Sequence, residues 1–296
     1  MKKVFLILWA LLLATSCRTE GDPMEKPVIS VSIIPQQYFI ERLAGDLVYV
    51  NVLIPPGASP ATYEPTIAQL GKLDRSEVYM RIGYIGFEQS WMDKLSSVNP
   101  AMKIVDLSDG VDIIMEDTVE ENDHQEHAKH GHSHHGTDPH IWMSAINTRI
   151  IAENIHRELL LLFPGEKEYL QDRLMQFFNS LDSLHLIISS RLEGMENRQF
   201  MIYHPALTYY ARDYGLEQLS LEREGKAPSP THLKKLTDLA VQNEINIIFI
   251  QSQFDRENAE ILARETGSEI VQFDPLNLHW SEQMWYIAEQ LNPKKP

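Results

Sequence analysis

The chain has 296 residues, one cysteine and a formal net charge of −16, with 42 acidic residues against 26 basic ones. That balance excludes a protein that tracks nucleic-acid phosphates, and a lone cysteine excludes an internal disulfide framework. The length suffices for one large or two medium domains held by an apolar core.

Lys2 and Lys3 precede an apolar run from Val4 to Ala14, and Thr15, Ser16 and Cys17 follow. This is the pattern of a secretory signal, and the run is shorter than the roughly 20 residues that a membrane span needs. A cysteine directly after these small residues resembles a bacterial lipoprotein signal. The resemblance implies that residues 1–17 form the signal, that Cys17 is lipidated, and that the exported protein is held on a membrane in the periplasm or at the cell surface. Residues 18–27 are polar and turn-rich, as expected of a flexible tether.

From there β and α patterns alternate. Val28–Ile34 predicts a strand, Gln36–Leu43 a helix ending near Gly45, and Leu47–Ile54 a second strand that runs into the proline- and glycine-rich loop 55–60. A short helix over Thr66–Leu73, a strand over Val78–Ile82, a helix over Phe87–Leu95 and a strand over Lys103–Leu107 follow. Residues 116–137 carry few apolar side chains and no periodicity, so they are expected to form a mobile loop. Met143–Phe163 predicts a helix interrupted by Pro164-Gly165. Apolar residues from Tyr169 to Ile188 then recur at three- and four-residue steps, predicting a long helix of roughly 40 Å. A second alternation begins at the strand Phe200–Tyr203. It continues with helices over Ala206–Tyr214 and Thr231–Asn243, the apolar strand Ile245–Ile250, a helix over Asn258–Thr266, the strand Glu269–Phe273 and a last helix over Trp280–Leu291. The expected architecture is α/β: an N-terminal lobe over 28–163 and a C-terminal lobe over 199–296, each with a largely parallel sheet, joined by a rigid spine helix over 166–193.

Seven of the twelve histidines lie in residues 121–140, namely His124, His127, His130, His132, His134, His135 and His140. Neutral imidazole is the commonest protein ligand for late first-row metals, so the tract is a compositional pointer to metal. Two further candidate ligands sit immediately after predicted strands, His204 after Phe200–Tyr203 and Asp274 after Glu269–Phe273. In open parallel sheets ligands bind outside the carboxyl ends of strands. His140, His204 and Asp274 together make a sensible set for a divalent transition metal. Each also has a plainer role open to it, as a turn or cap residue or as the last member of the tract, and spacing does not choose between them.

The segments PPGASPATYEP (55–65), DPHIW (138–142), YHPALTYYARDYGL (203–216), EGKAPSPTHLKKL (224–236) and ETGSEIVQFDPL (265–276), with the histidine-rich insert, resemble the zinc- and manganese-type solute-binding proteins of bacterial ABC importers. They occur in that family's order over nearly the whole chain after the signal. The resemblance implies two α/β lobes on a rigid helix with a metal cleft between them, and His140, His204 and Asp274 as ligands two to four. It further implies zinc as cargo (manganese or iron possible), an importer permease as partner, a monomer, no catalysis, and a metal-gathering role for the tract. One position departs. The family's first ligand is a histidine, where this chain has Ala61. Water, Tyr63, Gln36 or Gln37, or a tract histidine are the open alternatives for that place. A three-ligand zinc site also fits a hydrolase, although no HExxH motif is present. An adhesin-like lipoprotein with a degenerate site is the third reading.

Overall fold

The computed structural model describes residues 26–115, 136–222, 225–254 and 256–293. Cys17 and the six tract histidines from His124 to His135 lie outside the described residues, as do the signal and most of the tether. Two four-stranded sheets organise the rest. The first contains β1 (Val28–Val31), β2 (Tyr49–Val52), β3 (Ser76–Arg81) and β4 (Lys103–Asp106), in the order β2-β1-β3-β4. The second contains β5 (Gln199–Ile202), β6 (Glu217–Ser220), β7 (Ile247–Gln251) and β8 (Glu269–Phe273), in the order β6-β5-β7-β8. Every pairing within both sheets is parallel. The two orders are the same, so each sheet has a topological switch point, between β1 and β3 in one and between β5 and β7 in the other. Ligand crevices form at such points.

Nine α-helices lie among the described residues: α1 (Ile34–Ala44), α2 (Ile67–Leu73), α3 (Gly86–Val98), α4 (Ala145–Leu162), α5 (Lys167–Leu192), α6 (Thr208–Tyr214), α7 (Pro230–Gln242), α8 (Glu257–Thr266) and α9 (Trp280–Leu291). Their ends follow from local chemistry. Thr66 and Gln69 form a capping box at α2. The Ser144 and Ser229 hydroxyls accept from backbone N–H groups in the first turns of α4 and α7. Gly215 and Gly267 end α6 and α8 in the left-handed conformation.

β6 is absent from the sequence reading. Its segment, EQLS, has one apolar residue, and it lies at the sheet edge with no strand on its outer side. Strand recognition depends on a buried face, and this strand scarcely has one. β7 is the opposite case. Ile247 and Phe249 point into the large core, while Ile248 and Ile250 point into a smaller cluster with Met201, Leu236 and Leu262 on the other side. A strand covered on both faces reads as an unbroken apolar run.

The large core is continuous from the first sheet, through α4, α5 and α9, to Phe200, Phe249 and Phe273 of the second. α5, with 26 residues and about 39 Å of length, packs on α1, α4 and α9. At the centre Phe39 of α1 meets Trp280 of α9 edge-on at 5.2 Å between ring centroids, and Phe177 of α5 lies 6.2 Å from Phe39. Polar ties cross at the same place. Trp142 Nε1 donates to the Pro275 carbonyl and Trp280 Nε1 to the Trp142 carbonyl, both at 2.8 Å. Among the described residues, no helix is long and apolar enough to cross a membrane.

Candidate metal site

His140 and His204 come together in the cleft between the sheets. Their Nε2 atoms are 3.3 Å apart and their rings are nearly perpendicular. His140 stands between the antiparallel Met115–Thr137 bridge, which joins the two ends of the 116–135 segment, and the start of α4. His204 stands two residues after the end of β5, at the switch point of the second sheet.

Each ring is held from behind by a buried carboxylate. His140 Nδ1 lies 2.9 Å from Asp138 Oδ1, which also accepts the His140 backbone N–H at 2.8 Å. His204 Nδ1 lies 3.1 Å from Glu222 Oε2. Asp138 is 2% exposed and Glu222 6% exposed. Burial opposes ionisation of Asp138, but the His140 charge, hydrogen bonds from the His140 ring and Thr208, and the His140 backbone N–H outweigh it. The carboxyl is held below its ordinary range. An ionised carboxylate only accepts, so a neutral ring bonded to one through Nδ1 carries its proton there. With both rings neutral, the two Nε2 lone pairs face one another. A cation between the two Nε2 atoms would be ligated by both neutral rings at once. Zinc–nitrogen bonds of 2.0–2.1 Å at a tetrahedral angle place two nitrogens about 3.3–3.4 Å apart, which matches the separation found. Carboxylate, histidine and metal in line is the usual way a protein fixes the tautomer and basicity of a metal-binding imidazole.

His204 has further supports. Gln251, at the end of β7, donates to the His204 carbonyl at 2.8 Å, and its Oε1 lies 3.4 Å from the His204 nitrogen. Phe254 stacks on the ring at 5.2 Å and 23°. Asp138, Glu222, Gln251 and Phe254 were not singled out in the sequence. Asp138 had a signal, its place two residues before His140. Glu222 follows the unrecognised β6, so nothing marked it as lying beyond a strand end.

Asp274 stands differently. It precedes Pro275 and Leu276, which line the cleft, but is not itself among the lining residues. Its Oδ1 accepts the Leu276 backbone N–H at 2.9 Å. Among the described residues, no three His, Cys, Asp or Glu side chains are grouped to hold a metal. The structure thus brings His140 and His204 together and leaves Asp274 outside that pair.

Ala61 does line the same cleft as the two histidines. The substitutes suggested for it from its own lobe are committed elsewhere. Gln36 is fully buried, with Oε1 accepting from the Ser32 and Ile33 backbone and Nε2 donating to the Met80 carbonyl. Gln37 donates to Glu41 one turn further along α1. The Tyr63 hydroxyl donates to Gln69 at 2.7 Å. Two of the four remaining histidines make contacts within the second half of the chain. His232 bonds the Ser220 carbonyl from the first turn of α7, and His185 stacks on Tyr214.

Two parallel α/β lobes on one long helix, with an imidazole pair at the mouth of a switch-point crevice, define a cleft-type solute-binding protein. The family model "Zinc-uptake complex component A periplasmic" matches residues 29–290, and the chain belongs to that family. It is 27% identical over 286 residues to the zinc-binding lipoprotein AdcA of Streptococcus pneumoniae (strain ATCC BAA-255 / R6), covering 93% of this chain and 56% of that one. The chain therefore spans about half the length of that relative. It is 25% identical to the high-affinity zinc uptake system protein ZnuA of Bacillus subtilis (strain 168), over 86% of this chain and 78% of the relative. A crystal structure of ZnuA superposes with a TM-score of 0.81 at 36% identity, covering 90% of this chain and 98% of the other. The zinc-bound form of a ZnuA deletion mutant matches equally, with a TM-score of 0.81 and 36% identity over 91% and 99%. The expected fold is thus borne out.

Proposed function

We propose that this protein captures a divalent metal ion, zinc in the first place, between His140 and His204 outside the cytoplasm and delivers it to the permease of an ABC importer. The observation that carries the reading is the pair of Nε2 atoms 3.3 Å apart, each ring backed by a buried carboxylate. Family membership and the zinc-related names of the relatives support zinc. Manganese and iron accept the same donor types less well matched to two imidazoles. Asp274 is proposed as a third donor through Oδ2, since only Oδ1 is used in its turn. The reading includes no catalysed reaction, a monomer, a lipid on Cys17 with residues 18–27 as tether, and a membrane-anchored place in the periplasm or at the cell surface. It also assigns His124, His127, His130, His132, His134 and His135 to metal gathering.

The test is zinc titration of the chain with and without residues 121–137, followed by His140→Ala and His204→Ala. High-affinity binding is expected to survive the deletion and to be lost in either substitution. Binding that survives both substitutions in the shortened chain would refute the site.

A further inference from the structure

His140 follows the first sheet in the chain, yet its backbone is tied to a helix of the second half. Two legs of chain, residues 112–115 and 137–140, lie side by side below it. The Asp138 N–H donates to the Ile114 carbonyl at 3.0 Å, and Met115 bridges Thr137. The Tyr209 hydroxyl of α6 fastens both legs. It accepts the Ile114 N–H at 3.1 Å and donates to the Asp138 carbonyl at 2.9 Å, and the residue is fully buried. Its neighbours on α6 add further ties. The Thr208 side chain bonds the Asp138 carboxylate. Arg212, whose guanidinium lies 5.1 Å from the Tyr209 ring centre, donates to the Asp112 carbonyl at 3.3 Å and to Asn147 Oδ1 at 3.1 Å.

The same helix begins four residues after His204. One short element is therefore the reference for both rings: for His204 through the chain, and for His140 through Tyr209, Arg212 and the Asp138 carboxylate at its Nδ1. We propose that Tyr209 and Arg212 are positioning residues of the metal site, clamping the two legs to α6 so that the His140 and His204 Nε2 atoms are held at their 3.3 Å separation. This inference rests on His140 and His204 being metal ligands. Such a site works when its donors are kept within about 0.5 Å of the productive geometry, and donors fixed in advance lose little freedom on binding. Removing the Tyr209 hydroxyl leaves the Asp138 carbonyl and the Ile114 N–H without this partner. Polar groups left so inside a protein are costly enough that the legs shift to regain one, and His140 shifts with them.

The test compares the full chain with Tyr209→Phe, Arg212→Gln, Tyr210→Phe and His140→Ala. Each is read by zinc titration against a competing chelator, by the visible absorption of Co2+ bound in place of zinc, and by thermal unfolding. Tyr210→Phe is the matched control: the residue is equally buried on the same helix, but its hydroxyl donates to the Met284 carbonyl of α9 at 3.1 Å. Tyr209→Phe is expected to lower zinc affinity about tenfold and to change the Co2+ absorption, which reports ligand geometry. Arg212→Gln, at a partly exposed side chain, is expected to move both in the same direction by less, and it decides the matter if Tyr209→Phe folds poorly. Tyr210→Phe is expected to lower the melting temperature about as much as Tyr209→Phe, with zinc affinity within about twofold of the parent and the Co2+ absorption unchanged. A loss in Tyr209→Phe that Tyr210→Phe reproduces, or parent affinity in Tyr209→Phe or in Arg212→Gln, overturns the inference; the metal site still stands if His140→Ala loses its zinc. Parent affinity in His140→Ala overturns both.

Discussion

Glu222→Ala is the most direct probe of how the site works. Glu222 contacts His204 across the 3.1 Å Oε2–Nδ1 distance and also lines the cleft. The carboxylate keeps the ring proton on Nδ1 and Nε2 aimed at His140. Without it the His204 ring keeps its Phe254 stack but loses the partner that selects the tautomer, and its side chain is 31% exposed and free to turn. Loss of such an outer partner costs about 10–100-fold in metal affinity, or roughly 1.4–2.7 kcal/mol. Glu222→Gln retains an acceptor and the volume but not the charge, so a loss of about tenfold or less is expected. The assay is zinc titration against a competing chelator in four proteins: the parent, Glu222→Ala, His204→Ala and the double variant. Zinc held elsewhere on the chain contributes equally to all four and cancels in the cycle. If Glu222 acts through His204, it has no further effect once His204 is gone. An affinity within about twofold of the parent in Glu222→Ala, or an undiminished effect in the His204→Ala background, would refute the reasoning.

Three other outcomes follow from the geometry. Asp274→Asn keeps the turn to Leu276 but weakens any Oδ2 donation, so its melting temperature is expected to hold while zinc affinity drops by at least about tenfold; unchanged affinity would make Asp274 a turn residue only. Glu88, buried at the start of α3 and bonded to the Ser32 hydroxyl and the Ile82 and Gly83 N–H groups, is pushed by burial from 4.5 up to about 8. The folded state therefore keeps a proton that the unfolded chain releases, and this group's contribution is full below pH 4.5 and is lost as pH rises to about 8. At 1.36 kcal/mol per unit this amounts to at most about 5 kcal/mol. Denaturant titrations from pH 5 to 9 are expected to show the decline, and Glu88→Gln to flatten it; an identical slope in the variant would assign the decline to other groups. Gly45 has φ of +57°, and a Cβ there would lie 2.3 Å from the Tyr169 hydroxyl of α5. Gly45→Ala is expected to cost about 1–3 kcal/mol of stability, with part recovered by adding Tyr169→Phe; thermal unfolding of both variants checks this.

Most of the architecture was legible because its signals are local. The doubly covered β7 reads as an apolar run, α5 as a long three-four repeat, and Gly215 and Gly267 as stops. β6 was not legible, since an edge strand with one apolar residue has no pattern to read. Its loss hid Glu222 as well. His140 and His204 were found from motif and strand-end position. The mutual approach of their Nε2 atoms is a tertiary fact that no spacing encodes, since 64 residues separate them. Nor does sequence tell that Gln36 caps the start of its own helix, or that Asp274 spends one oxygen on Leu276.

The unbroken apolar interior linking both lobes across α5 bears on kinetics. Phe39, Phe177 and Trp280 weld the halves, and the crossed Trp142 and Trp280 bonds bolt them at the crevice floor. A molecule so braced does not open like a clamshell, because parting its jaws would expose aromatic surface to water. On the reading proposed above, escape of a bound ion would proceed by rearrangement at the rim, through ring rotation and loop shift. Under that proposal, a docked permease would draw out the ion by disturbing the lip of the cleft, leaving the girder behind it unmoved.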